Sequence, residues 1–381
     1  MMSVGASMQM TFKQMTLNVF RGEPIPHVLF QPRIEPWYDW HKRFGKMPKR
    51  YEGASLLDVF DDLRISMRYV HYYTGQPDPI VVNYSDKVRI IRQFHETDGT
   101  VIYETPYGEL VERYTLTSDG SWRKTEFPVK SVDDLRKLRW LYANTNYSFS
   151  VDRFNIGAQF MGERGEPQFW VPKSPYQALA QIWMRLEDFI YALVDWTDEV
   201  EATMKAIDDS YDRLYEEIIA SGVVRILNFG ENIHDQLLSP KYFERYLIPF
   251  YEKRSNQLRR AGIFTHIHID GYFKSLLPYL KHLPFDGYEA LTPKPQGDVE
   301  LEELKEHIGD KILIDGIPAI MFIPPFTREE LMATVERIVK LFHPRLILGA
   351  SDEVPQGGGE EAIERVRLIS DWCRRQTKDA L

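Results

Sequence analysis

From about residue 167 onward, short β-branched or apolar runs alternate with helix-length amphipathic segments, the pattern that produces a parallel sheet with helices packed outside it. The runs fall at 168–171, 223–229, 263–269, 287–291, 312–314 and 346–348. One intervening helix is predicted to open at Ser239-Pro240, an N-cap followed by a proline whose missing N–H costs nothing there, with Phe243, Leu247, Phe250, Tyr251 and Leu258 on one face. Another opens with Thr327 and Glu330 as a capping box and carries the stripe Leu331, Val335, Ile338, Val339 and Phe342.

The N-terminal half is patterned differently. Residues 81–129 alternate around Asp98-Gly99, Tyr107-Gly108 and Asp119-Gly120, turn chemistry that predicts antiparallel hairpins. Earlier, 27–34 is expected as a first strand, with 56–72 as its helix or part of it. The fold class expected is therefore α/β, a (β/α)8 TIM barrel with an antiparallel β-meander inserted at about 81–129. At 381 residues the chain fits one such domain over 1–381.

Composition limits the partners. A formal charge of −9 leaves no basic excess for a phosphate backbone, so nucleic acid is not expected. The sole cysteine, Cys373, excludes an intramolecular disulfide and a thiolate metal cage. No run approaches 18 apolar residues, and the first ten residues lack a basic leader and a sustained apolar core, so no membrane span and a cytoplasmic location are expected. A homodimer is left open. Gly357-Gly358-Gly359 lacks the lysine and spacing of a phosphate cradle, and Glu360-Glu361 would repel an anion there.

In a parallel barrel the C-terminal strand ends converge on one mouth, which singles out Glu231, His268, Asp270, Glu289, Asp315 and Asp352. Within Thr265-His266-Ile267-His268-Ile269-Asp270, residues two apart share a face, so His266, His268 and Asp270 point together. Two imidazoles and a carboxylate so placed suit a divalent metal or a proton relay, and equally histidines hydrogen-bonded in the core. Glu289 and Asp315 taken singly fit structural ion pairs as well as catalysis. Trp37-Tyr38-Asp39-Trp40 and Phe169-Trp170 fit either a ligand pocket or the core.

The order of these elements resembles the uroporphyrinogen decarboxylase superfamily, including its corrinoid-dependent methyltransferase branch. The resemblance is carried by Gly230-Glu231, Leu238-Ser239-Pro240-Lys241-Tyr242-Phe243, His268-Ile269-Asp270-Gly271, Ser351-Asp352-Glu353-Val354-Pro355 and the hairpin Thr105-Pro106-Tyr107-Gly108-Glu109-Leu110. The decarboxylases carry an Arg-Gln-Ala-Gly-Arg-Tyr type motif near the N-terminus for the tetrapyrrole carboxylates. Here the region reads Phe30-Gln31-Pro32-Arg33-Ile34-Glu35-Pro36-Trp37-Tyr38, so Arg33 alone remains and porphyrinogen decarboxylation is not expected.

The thiol-methylating members of the methyltransferase branch hold zinc with a His-x-Cys pair and a later Cys. By resemblance these positions fall on His268, Asp270 and Asp352, with Glu231 as a further ligand. The resulting oxygen-rich set is compatible with Zn2+ and also with Mn2+ or Fe2+. The resemblance thus implies demethylation of a small methylated substrate, such as a methyl ether, with the metal as Lewis acid and a separate corrinoid protein as methyl acceptor. His266 and His234 would support the ligands or act as acids. The alternatives are a decarboxylase or lyase of the same superfamily acting on a non-tetrapyrrole acid, and a barrel that binds a small ligand without catalysis.

Overall fold

The computed structural model describes residues 10–118, 120–235 and 238–376; residues 1–9, in which no leader is expected, and Asp119 of the expected turn lie outside them. In chain order the described strands are β1 (Ile80–Tyr84), β2 (Arg89–Phe94), β3 (Asp98–Thr105), β4 (Gly108–Leu116), β5 (Trp122–Glu126), β6 (Thr145–Phe149), β7 (Trp170–Val171), β8 (Ile226–Phe229), β9 (Phe264–His268), β10 (Gly287–Glu289), β11 (Ile312–Pro318) and β12 (Leu346–Ser351). The chain is an α/β fold. β7 to β12 form one six-stranded parallel sheet in which sequence neighbours are spatial neighbours.

Two N-terminal segments flank this sheet. Phe30 bridges to Leu348 on β12, where the Gln31 N–H donates to the Leu348 carbonyl at 2.7 Å. At the other edge Tyr69 bridges to Gln168, and the Val70 N–H donates to the Gln168 carbonyl at 3.0 Å. The flanking segments meet each other, since the Ser66 N–H donates to the Phe30 carbonyl at 3.0 Å. The segment expected as one helix over 56–72 therefore divides. Leu56–Leu63 is helical, Arg64 leaves the helix at φ 53°, and 65–70 runs extended beside the sheet.

The sheet is buried on both sides, which is why β8, β11 and β12 read as near-continuous apolar runs. Outside it, the helix Arg328–Phe342 has the expected capping box and buries Leu331, Val335, Ile338, Val339 and Phe342. The helix predicted from Ser239 is broken into a short turn Pro240–Tyr242, a wide turn Phe243–Leu247 and the helix Ile248–Arg260. A helix the sequence did not suggest, Phe12–Arg21, is capped reciprocally by Thr11 and Gln14. It packs Met15, Val19 and Phe20 on Leu29, Ile226, Ile312 and Ile347, closing the end of the sheet at which the strands begin.

β2 to β5 form a separate antiparallel sheet, with Gly108 at φ 111° in the turn after β3. β1 instead pairs with β6. Asp98-Gly99 begins β3 and is not a turn tip, because the chain reverses over 95–98, where the His95 N–H donates to the Asp98 carbonyl at 2.8 Å. Val101, Tyr103 and Leu110 tie this sheet to the main apolar core. Among the described residues no helix is long and apolar enough to cross a membrane.

Candidate functional site

The register of the parallel sheet aligns Asn228 with His266 and His268 with Glu289. Because strand side chains two apart share a face, all four look the same way, while Ile267 packs into the apolar core on the other side. The extended segment 65–70 adds Arg68 and Tyr69, and β11 adds Asp315. Asp315 sits at φ 83°, in the left-handed region, and its carboxylate lies so close to Gly349 that a Cβ there would meet Oδ1 at 2.4 Å. A glycine is required at 349 for that reason.

These groups form a buried polar network. Arg68 donates from Nη1 to Glu289 Oε1 at 2.5 Å, from Nη2 to Asp315 Oδ1 at 2.7 Å and from Nε to Gln31 Oε1 at 2.9 Å. The Tyr69 hydroxyl donates to Glu289, with its oxygen 2.6 and 2.7 Å from the two carboxylate oxygens, and the Asn228 amide donates to Glu289 Oε2. Burial works to raise the Glu289 pKa, but Arg33, Arg68 and His268 outweigh it and hold the carboxyl well below the usual carboxylate range. His266 has its Nε2 2.7 Å from Gln168 Oε1, and burial lowers its pKa to about 3, so it is a neutral member of the core.

His268 stands nearer the strand ends. Its Nδ1 is 3.4 Å from Glu289 Oε2 and its Nε2 3.8 Å from Asp352 Oδ1. Arg33, almost fully buried, pairs with Asp352, lies 3.8 Å from Glu289 Oε1 and places its guanidinium 5.8 Å from the Tyr72 ring centre. Its Nε has no hydrogen-bond acceptor among the described residues. Arg33, His268 and Asp352, with Trp170, Gly230 and Asn232, line a hollow of about 200 Å³. Trp170 forms its wall, stacked on Tyr69 at 4.0 Å. A larger groove of about 1010 Å³ beside the helix Glu35–Arg43 lies away from this convergence of polar groups.

The other residues singled out in the sequence lie differently. Glu231 is fully buried and accepts from the Ser174 N–H at 2.5 Å and the Ser174 hydroxyl at 2.9 Å. Burial raises its pKa despite those bonds and the charge of Lys173. Asp270 is half-buried beyond β9, where its charge reaches Lys173. His234 is 5.2 Å from the Tyr272 ring and lines a side hollow of about 60 Å³. Asp315 contacts the network through Arg68.

A divalent ion does not fit these side chains as they stand. Of the four expected ligands, His268 and Asp352 approach each other at 3.8 Å, Ser174 holds Glu231, the Asp270 charge acts on Lys173, and the Arg33 cation is already against Asp352. Among the described residues no three His, Cys, Asp or Glu side chains gather as a metal-holding group.

Sequence reasoning passed over Arg68, Tyr69, Asn228 and Gln168. Of these Arg68 was detectable: Ile65-Ser66-Met67-Arg68 alternates as a strand does, with Arg68 two places from Ser66 on the polar face.

Among solved structures, the fold is similar to that of a methyltransferase. A methyltransferase from Methanosarcina mazei superposes with a TM-score of 0.59 at 12% identity, over 95% of this chain and 99% of that one. A B12-independent methionine synthase from Shewanella gives 0.40 at 13% identity over 83% and 85%, and a putative vitamin-B12 independent methionine synthase from Listeria monocytogenes 0.43 at 12% over 92% and 96%. No curated protein matches by sequence. The uroporphyrinogen decarboxylase (URO-D) family model matches residues 173–368, more than half of the chain, across β8 to β12 and the strand ends that carry Glu231, His268, Glu289 and Asp352, and the chain therefore belongs to the URO-D family.

Proposed function

We propose that the chain is a methyltransferase acting on a small methylated substrate held in the 200 Å³ hollow. In this reading the six parallel strands and the two N-terminal segments make a (β/α)8 barrel, one domain over 1–381 with the antiparallel strands inserted at about 81–129. The methyl acceptor is a reduced corrinoid carried by a separate protein, which supplies the nucleophile. The observation that carries the reading is the His268 imidazole, set between Glu289 and Asp352 at the strand ends, with Asp352 42% exposed and the hollow open to solvent.

The bond between the methyl carbon and its heteroatom breaks with the electron pair left on the heteroatom, and the acceptor takes the methyl group. His268 in its protonated form gives the Nε2 proton to that heteroatom, so the substrate leaves as the demethylated, protonated compound. Ionised Glu289 orients the ring through Nδ1, and Arg68, Tyr69 and Asn228 hold Glu289 in place. The wall of Trp170 and Tyr69 limits the substrate to a small molecule.

A second reading, decarboxylation of a small non-tetrapyrrole acid, is favoured by one observation, the Arg33 guanidinium bordering the hollow, which would receive a substrate carboxylate. Incubation of the protein with reduced corrinoid and a panel of small O-, S- and N-methyl compounds and small carboxylic acids separates the two. Methylation of the corrinoid supports the first, release of CO2 supports the second, and turnover of neither overturns both.

A further inference from the structure

We infer that the Arg33 guanidinium is the fixed electrophile of this pocket and fills the position that a divalent cation would need, so that the centre works without a metal ion. The inference rests on reading the hollow as the catalytic centre. The positive charge is built in: Arg33 follows the segment that bridges to β12, and the Val354 N–H donates to its carbonyl at 3.0 Å, fastening it to the loop that bears Asp352. The guanidinium is almost completely buried, pairs with Asp352 and lies 3.8 Å from Glu289, the two carboxylates that flank His268.

A cation approaching His268 and Asp352 would meet a group that stays protonated at all ordinary pH and whose charge already answers both carboxylates. Behind it, Arg68 and Asp315 form a second pair, so no carboxylate of the inner network is spare. The same geometry gives Arg33 a task. Its guanidinium borders the hollow, so its positive charge faces the place where an oxygen or other heteroatom of the substrate would sit. As the heteroatom's bond to carbon breaks and the electron pair stays behind, the guanidinium charge stabilises the growing anion until His268 protonates it.

The test is metal occupancy and does not depend on turnover. Wild type, His268→Ala, Arg33→Met and the double variant Arg33→Met/His268→Ala are each incubated with Zn2+ or Co2+, desalted, and assayed by elemental analysis and by the visible ligand-field bands of Co2+. We expect wild type to retain no stoichiometric metal. Arg33→Met, with Asp352 released, is expected to take up one equivalent of Co2+ with a visible band that the double variant lacks. One equivalent in wild type that His268→Ala removes would overturn the inference, as would a folded Arg33→Met protein that stays metal-free. If Arg33→Met does not fold, the wild-type and His268→Ala measurements still decide. A metal-free wild type with no methyl transfer would count against the proposed function and leave this inference standing.

Discussion

Replacing Glu35 by Gln and His266 by Asn should tilt the pH dependence of stability in opposite directions. Glu35 opens the helix Glu35–Arg43 almost fully buried, with Oε2 unpartnered among the described residues. Burial raises its pKa to about 7 despite Arg33 and Arg68, with Glu353 adding to the rise. The carboxyl is thus protonated in the fold where the unfolded chain, with an ordinary value near 4.5, has lost its proton. Its stabilising contribution is complete below about 4.5 and is lost as pH rises toward 7.

His266 runs the other way. Burial lowers its pKa from 6.5 to about 3, with Arg68, His268 and Arg33 adding to the fall and Glu289 opposing it, so its contribution is complete above 6.5 and is lost as pH falls. Each proton is worth about 1.4 kcal/mol per pH unit while the two states differ. Relative to wild type, Glu35→Gln should therefore gain up to about 3 kcal/mol as pH rises from about 4.5 to about 7. His266→Asn should gain a similar amount relative to wild type as pH falls from about 6.5 to about 4.5. Urea unfolding of the three proteins across that range, followed by circular dichroism, reads both slopes. Variant-minus-wild-type differences that stay flat, or slope the same way, would refute the burial argument.

Removing the central guanidinium with Arg68→Met leaves Glu289 and Asp315 facing each other in the interior and should cost about 3–5 kcal/mol in urea unfolding at neutral pH. Gly349→Ala places a methyl group 2.4 Å from Asp315 Oδ1 and 3.0 Å from the Gln31 carbonyl, and should destabilise by about 1–3 kcal/mol in the same assay.

The C-terminal half of the fold was legible because its strands are buried on both faces and its helices carry one apolar stripe each; Leu331 to Phe342 matches the expected face residue for residue. The N-terminal half was harder to read. Arg68 and Tyr69 were absorbed into an expected helix because Leu56–Leu63 is helical, and only the Arg64 turn separates it from a strand-like stretch of six residues. The pairing of β1 with β6 spans some 60 residues of chain and leaves no local mark. At the site, alternation put His266 and His268 on one face correctly, but spacing along one strand says nothing about depth. Depth is what makes His266 a neutral core residue bonded to Gln168 and leaves His268 at the hollow. Glu231 similarly sits at a strand end, yet its partner Ser174 comes from another loop.

The proposed methyl transfer depends on His268 as the proton donor of a small-molecule centre. The most direct measurement is the rate of methyl transfer from an accepted substrate to reduced corrinoid, for wild type and His268→Ala, with folding of the variant confirmed by circular dichroism. A loss of about 10²–10⁴-fold in the variant is the predicted result. A folded variant that transfers methyl at the wild-type rate would contradict it.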